Sequence, residues 1–315
     1  MGFPDFSAAA RRIRVCAGHH EAAITRRQAH QNQAWWKHWS CAATTPYQKW
    51  STLFSVISAV LLKPLPYPDP DRLVAVWHAA PGLNINLMSS APFTYFTYRE
   101  ECRSFEETGL WAPGSMSVTG LAEPEQVPGL QVTVGVLPLL GVKPFLGRLF
   151  TPRDDSPGSP LTAILSYGYW KNRFGGDSSI LGRTIMADSQ PREVIGVLPR
   201  DFRFLDFDPS LFVPLRLDRS QVRLGNFSFM GIARLRAGIT LPQASSDIAR
   251  LIPLMPEKFV APIGLSGQAF REMRLAPNLR LLKQDVVGDV GSVLWVLTGS
   301  RRTVTSLATF SIGRL

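Results

Sequence analysis

Two uncharged apolar runs bracket the middle of this chain, and neither is long enough to cross a membrane. Residues 51–62 (STLFSVISAVLL) carry no charge until Lys63 and Pro64 close the run. Crossing about 30 Å of hydrocarbon takes ~20 apolar residues, and Pro46, Gln48, Lys49 and Trp50 bar extension backwards. Residues 290–297 (VGSVLWVL) lead into Arg301 and Arg302. Each of those arginines costs roughly 2.5–3.5 kcal/mol at mid-bilayer on insertion scales, less with snorkelling. Either run reads equally well as a buried core helix or strand.

Charge separates the flanks from what they enclose. Of the net +10, residues 1–50 supply +5 and residues 276–315 supply +3, which leaves the long middle at +2. Affinity for nucleic acid comes largely from cations on a folded body, and this body has no basic stripe. Basic flanks around a neutral body suit a membrane-adjacent domain better. With 45% hydrophobic and 18% charged residues the chain can bury a core, and 25 Gly with 25 Pro favour strands joined by turns. Three Cys cannot make a fully paired disulfide framework.

Residues 1–50 form an irregular tail of uncertain origin. They hold four of the five His and four of the eight Trp without a helical or strand period. Arg11, Arg12 and Arg14 are not followed by the apolar core of a secretory signal. Cys16 with His19 and His38 with Cys41 have the two-residue spacing of zinc ligands, but the reversed second pair and the lack of turn glycines weaken the match. A mobile tail and a mis-set start or frame are the other readings.

The body is read as short strands and helices. Residues 64–70 carry four prolines, which predicts a stiff polyproline-like arm. Strands are expected at 73–78, 110–118, 126–134, 161–165, 212–213 and 227–235, with a hairpin from 183–187 and 192–198. Helices are expected at 90–107, 136–140, 167–174 and 240–252. Residues 141–147 read as an exit loop. The last helix has Thr240 as its cap and Gln243 at the capping-box position, with Ala244, Ile248, Leu251 and Ile252 on one side. Tyr95, Tyr98, Cys102 and Phe105 fall on one face of the 90–107 helix, so Cys102 reads as a core thiol. The fold class is α+β, with two subdomains.

Catalytic chemistry finds no support. Nucleophile-elbow, dinucleotide and P-loop fingerprints are missing. His78, the single histidine after residue 50, sits on a Val/Trp-rich strand and reads as structural. Asp154 and Asp155 are adjacent and point apart, so a solvated turn is expected rather than a shared acid–base site. Arg183 and Arg192 flank a hairpin and read as salt-bridge partners rather than anion ligands. The site expectation is no catalytic, cofactor-binding or metal residue, and no cofactor.

The order of motifs carries more. FSVISAVLLKPLPYPDPDRLV (54–74), SFEETGLW (104–111), LGVKPFLGRLFTPRDD (140–155), ILSYGYWKNRFGGDSSILGRTI (164–185), IGVLPRDFRF (195–204), ARLRAGITLPQA (233–244) and VVGDV (286–290) occur in sequence. Together they resemble the MacB-like periplasmic core of ABC-transporter permeases, most closely the large permeases of the Acidobacteria type. The resemblance implies a porter-like subdomain with an inserted β-rich subdomain, flanked by incomplete membrane helices. It places the remnant of a first membrane helix at 51–62, the core at 63–289, and the start of a second helix with an aberrant C-terminus at 290–315.

By the same resemblance the core lies on the periplasmic side of the bacterial inner membrane. It would be non-catalytic, coupling a separate cytoplasmic ABC ATPase to periplasmic movement for export or signalling, with a periplasmic adaptor as a further partner and no nucleic acid. The relatives' first helix has an apolar N-terminal half where this chain has residues 41–50. Their second continues past position 298, where this chain has Arg301 and Arg302, so a truncated product is expected. The alternative function is a free-standing periplasmic ligand- or protein-binding domain with a cleft between its subdomains, and a hydrolase ranks third.

Overall fold

The computed structural model describes residues 65–120, 123–263 and 266–287. The tail with Cys16, His19, His38 and Cys41, and the apolar runs 51–62 and 290–297, lie outside the described residues. Among the described residues no helix is long and apolar enough to cross a membrane.

The chain enters through residues 65–72 and lays down β1 (Leu73–Ala80) and β2 (Ile85–Met88), followed by helix α1 (Pro92–Glu101) and the long strand β3 (Phe105–Thr119). Next come β4 (Glu125–Val132), α2 (Val136–Leu139), β5 (Leu146–Gly147), β6 (Thr162–Leu165) and α3 (Tyr167–Arg173). The hairpin β7 (Thr184–Ala187) and β8 (Gln190–Val197) leads to β9 (Leu211–Pro214) and β10 (Met230–Leu235). Last are α4 (Leu241–Leu251), α5 (Met255–Lys258), α6 (Gly267–Glu272), β11 (Ala276–Leu281) and α7 (Leu282–Val287). All the described strands hydrogen-bond into one sheet in the order β11-β1-β10-β3-β4-β9-β6-β8-β5, with β2 beside β1 and β7 beside β3 and β8. Pairing is antiparallel except for β4–β9 and β6–β8.

That order contains an insertion. β3 and β10 are direct neighbours, yet β4 to β9 all lie between them in sequence. β3 joins the two halves of the sheet: its first residues pair with β10, and Trp111 to Val118 pair with β4. Between Ala112 and Ser117 it has a partner on one side only, which is where Pro113 and Gly114 are tolerated.

Strand alternation sorts the core. Leu73, Ala75 and Trp77 of β1 face one cluster, which also takes Leu130 and Val132 of β4, Ile164, Ile195, Phe212 and Ile232, and so runs along one face of the whole sheet. Val74 and Val76 face the opposite way, onto α1 and α4 through Phe93, Tyr98, Ala244, Ile248 and Leu251. In the inserted half Ala163, Leu165, Val194, Val197 and Leu211 pack beneath Trp170 of α3. Fully burying one such aliphatic side chain contributes about 1.5–3 kcal/mol.

Several local expectations hold. Thr240 and Gln243 form the capping box, and the α4 positions named from sequence are buried. Gly175 and Gly176 end α3 at φ 65° and 77°. The β7–β8 hairpin turns on two residues, Asp188 and Ser189, both at positive φ (54° and 60°), the primed turn that matches strand twist.

Others are corrected. The 90–107 helix stops at Glu101, and Phe105 belongs to β3. The exit loop 141–147 contains the edge strand β5, and α5, α6 and β11 lie where sequence reading placed no element. The arm is not extended: Pro66 to Asp69 bend, Asp69 takes φ 44°, and Pro70–Arg72 make a turn of 3-10 helix.

Candidate functional site

Entry and exit meet the body side by side. β1 begins at Leu73, β11 ends at Leu281, and antiparallel pairing sets Val74 opposite Leu281. Their backbones are therefore roughly 5 Å apart.

The arm is fastened to the body at three points. The buried Tyr67 hydroxyl donates to the Arg203 carbonyl at 2.7 Å and accepts from the Leu205 amide at 2.8 Å. Burial raises the Tyr67 pKa, opposed by the Leu205 amide, so the hydroxyl remains a donor near neutrality. Arg234, projecting from β10, donates to the Pro68 carbonyl at 2.9 Å and the Leu139 carbonyl at 2.7 Å, tying the arm to α2. Arg72 gives its Nε to the Leu235 carbonyl at 2.8 Å and pairs with Asp69 and Glu106. Gly141 makes room for this path: a Cβ there would meet Pro68 Cγ at 2.5 Å, on a backbone at φ +72°.

On the exit side, Trp77 Nε1 of β1 donates to Asp285 Oδ1 of α7 at 2.8 Å. Burial raises the Asp285 pKa, and the Trp77 hydrogen bond and nearby Arg280 oppose it. Leu282 is buried in the core cluster that holds Tyr67 and Leu73.

One loop touches both connections. Residues 203–207 take Tyr67 on one side, and Phe204 and Phe207 set their rings 5.1 and 5.2 Å from Trp111. Leu205 and Phe207 share a small cavity of about 180 Å³ with Trp77, Asp285 and Val286. Leu205 holds φ 53°, a left-handed backbone that costs a leucine roughly 1–2 kcal/mol. Sequence reading saw Tyr67 only as part of a stiff arm. The available signal was one large aromatic between prolines, out of place in a solvated linker.

The residues weighed for chemistry are dispersed. His78 is fully buried; burial lowers its pKa to about 4, partly offset by the Ser89 backbone, and Nε2 lies 2.8 Å from the Tyr98 hydroxyl. The Cys102 thiol is pushed up to about 11, chiefly by burial, and donates to Asp247 at 3.4 Å, both of which disfavour its thiolate.

Asp154 and Asp155 point apart as expected, but the solvated turn is a correction. Asp154 is buried, bound by both Arg148 guanidinium nitrogens (2.6 and 3.0 Å) and by the Thr151 amide and hydroxyl. Burial pushes its pKa up, and those four bonds outweigh it and hold the carboxyl at about 2. Asp155 accepts the amides of Val134 and Arg216 at 2.9 and 2.8 Å, joining the ends of β4 and β9. Arg183 and Arg192 make no ion pair among the described residues, which corrects their reading as salt-bridge partners. Among the described residues no His/Cys/Asp/Glu group could hold a metal.

The sequence matches the family described as MacB-like periplasmic core domain over residues 52–251. The chain belongs to that family. Among solved structures this MacB-like core is similar to the extracellular domain of the noncanonical ABC-type transporter YknZ from Gram-positive bacteria (19% identity, 59% of this chain and 93% of that one, TM-score 0.45). It is also similar to the periplasmic region of MacB from Actinobacillus actinomycetemcomitans (14%, 59% and 85%, TM-score 0.45) and to a domain of a permease protein from Porphyromonas gingivalis (18%, 69% and 93%, TM-score 0.49). No curated protein matches the sequence. The family match stops at the last residue of α4, whereas the sheet of this MacB-like core closes only with β11.

Proposed function

We propose that this chain acts as the periplasmic core of an ABC-transporter permease, held on the outer side of the inner membrane. In this reading it relays movement driven by a separate cytoplasmic ABC ATPase, for export or for signalling, with a periplasmic adaptor as a further partner and no catalytic step of its own. The observation that carries the reading is the pairing of Val74 with Leu281, which brings both connections out of the body together. A domain suspended from two neighbouring membrane helices needs that geometry. The three fastenings of the arm support it further, because motion of a helix ahead of residue 65 reaches the sheet only through a rigid joint.

Fractionation of bacteria expressing the full 315-residue chain tests this reading. It expects the chain to stay in the pellet after alkaline carbonate and to be cleaved by protease added to spheroplasts. Release by carbonate, or cleavage only after lysis, overturns it.

A further inference from the structure

The loop that clasps Tyr67 has a second face. Residues 198–212 and α3 enclose a cavity of about 420 Å³, within the range of small-molecule sites. Its accessible aromatic lining is the partly buried Phe202, Tyr167 and Tyr169, and the core ring of Phe212 stands behind Phe202 at 6.3 Å, centroid to centroid. Arg200 and Arg203 line the opening. Arg200 has no carboxylate partner among the described residues, and Arg203 has only Asp208 at 3.6 Å, both side chains largely exposed. Such a pair is worth little in water, and because Asp208 also lines the cavity the two arginines leave it one net positive charge.

Arg203 belongs to both structures. Its side chain lines the cavity, while its carbonyl accepts the Tyr67 hydroxyl that fastens the arm. Two residues on, Leu205 holds its left-handed backbone with its amide on the same hydroxyl. A ligand that draws Arg203 inward therefore pulls on the fastening itself, two residues from a strained left-handed backbone.

We propose that this cavity binds an aromatic anion and that the Tyr67 clasp passes its occupancy to the entry arm. This rests on the membrane-suspended reading only for what the arm connects to. An extended planar anion fits the chemistry: its rings lie against Phe202 and Tyr169 and its charge meets Arg200 and Arg203.

The test uses the full 315-residue chain and 1-anilinonaphthalene-8-sulfonate, read by fluorescence. Gly168 lines the cavity and a Cβ there meets nothing within 4 Å, so Gly168→Trp adds bulk at the cavity wall without a clash at Cβ and serves as the plugged variant. Both Gly168→Trp and the Arg200→Glu/Arg203→Glu pair are expected to weaken probe binding at least about tenfold. Should the plugged variant fail to melt cooperatively, the charge-reversed pair answers alone. Probe binding is expected to slow hydrogen exchange at the amides of Tyr67, Asp69, Asp71 and Leu205. Tyr67→Phe keeps the affinity and loses that slowing. Unchanged affinity in the plugged or charge-reversed variants overturns the site, and a persisting arm response in Tyr67→Phe overturns the relay. Neither readout depends on membrane tethering, so the cavity can fail while the topology stands, and the reverse.

Discussion

Asp154 and His78 respond to acid in two separate pH windows, the lower one shared with Asp247, which is also held at about 2. The Asp154 carboxyl, held at about 2 against an ordinary 3.8, contributes stability that is complete above the ordinary value and is lost as pH falls toward 2. His78, held at about 4 against 6.5, is buried neutral. The unfolded chain takes up that proton first, so stability is lost as pH falls from 6.5 to 4. Urea midpoints between about pH 7 and pH 2 separate the two. His78→Leu flattens the upper limb while costing about 1–2 kcal/mol, because the buried Tyr98 hydroxyl loses its partner. Asp154→Asn lowers the plateau by about 2–3 kcal/mol and flattens the lower limb. His78 was legible as structural from its Val/Trp-rich strand. Burial of Asp154 was not, because the Pro152-Arg153 context has the composition of a surface turn and the Arg148 fork declares itself only once the loop folds back.

At the scale of elements, the junction of α1 and β3 shows what tertiary contact adds to local pattern. The 3.6-residue spacing of Tyr95, Tyr98, Cys102 and Phe105 extends the helix on paper. In the fold, one Asp247 oxygen from α4 takes the amides of Arg103 and Ser104 at 2.8 and 3.0 Å, the Ser104 hydroxyl and the Cys102 thiol. That oxygen stops the helix and starts the strand from more than 140 residues away, beyond the reach of any local window. α4 was read almost to its ends, since its cap and apolar stripe are both local. Asp247→Ala is expected to cost about 2–3 kcal/mol in urea unfolding and to speed hydrogen exchange at residues 102–105 while leaving the core of β3 protected. Uniform acceleration across β3 would contradict this role.

For the whole molecule, closure of the sheet depends on its last strand. Residues 276–281 (APNLRL) carry a proline, an asparagine and an arginine and show no apolar alternation, so only the β1 edge makes them a strand. The α+β class and most elements from β1 to α4 were legible from turns and short apolar runs, whereas β5, α5, α6 and β11 were not, and the insertion of β4 to β9 between β3 and β10 agrees with the inserted subdomain that the family resemblance implied. The single continuous sheet was not legible, since nothing local says that β3 serves both halves. Cysteines placed at Val74 and Leu281 should crosslink under mild oxidation and raise the unfolding free energy by about 2–4 kcal/mol. Failure to crosslink in the folded chain would contradict the register.

The β1–β11 register also fixes how the body answers force. Because both chain connections leave from the same end of one antiparallel ladder, a sideways pull that parts them loads the arm's fastenings and the Trp77–Asp285 bond first, and once these give way it opens the rungs singly from Val74–Leu281, as a zipper does. A pull on both together loads no rung and swings the body as a unit. The joint thus tolerates rotation and yields to spreading, with the fastenings on either side guarding the outermost rung.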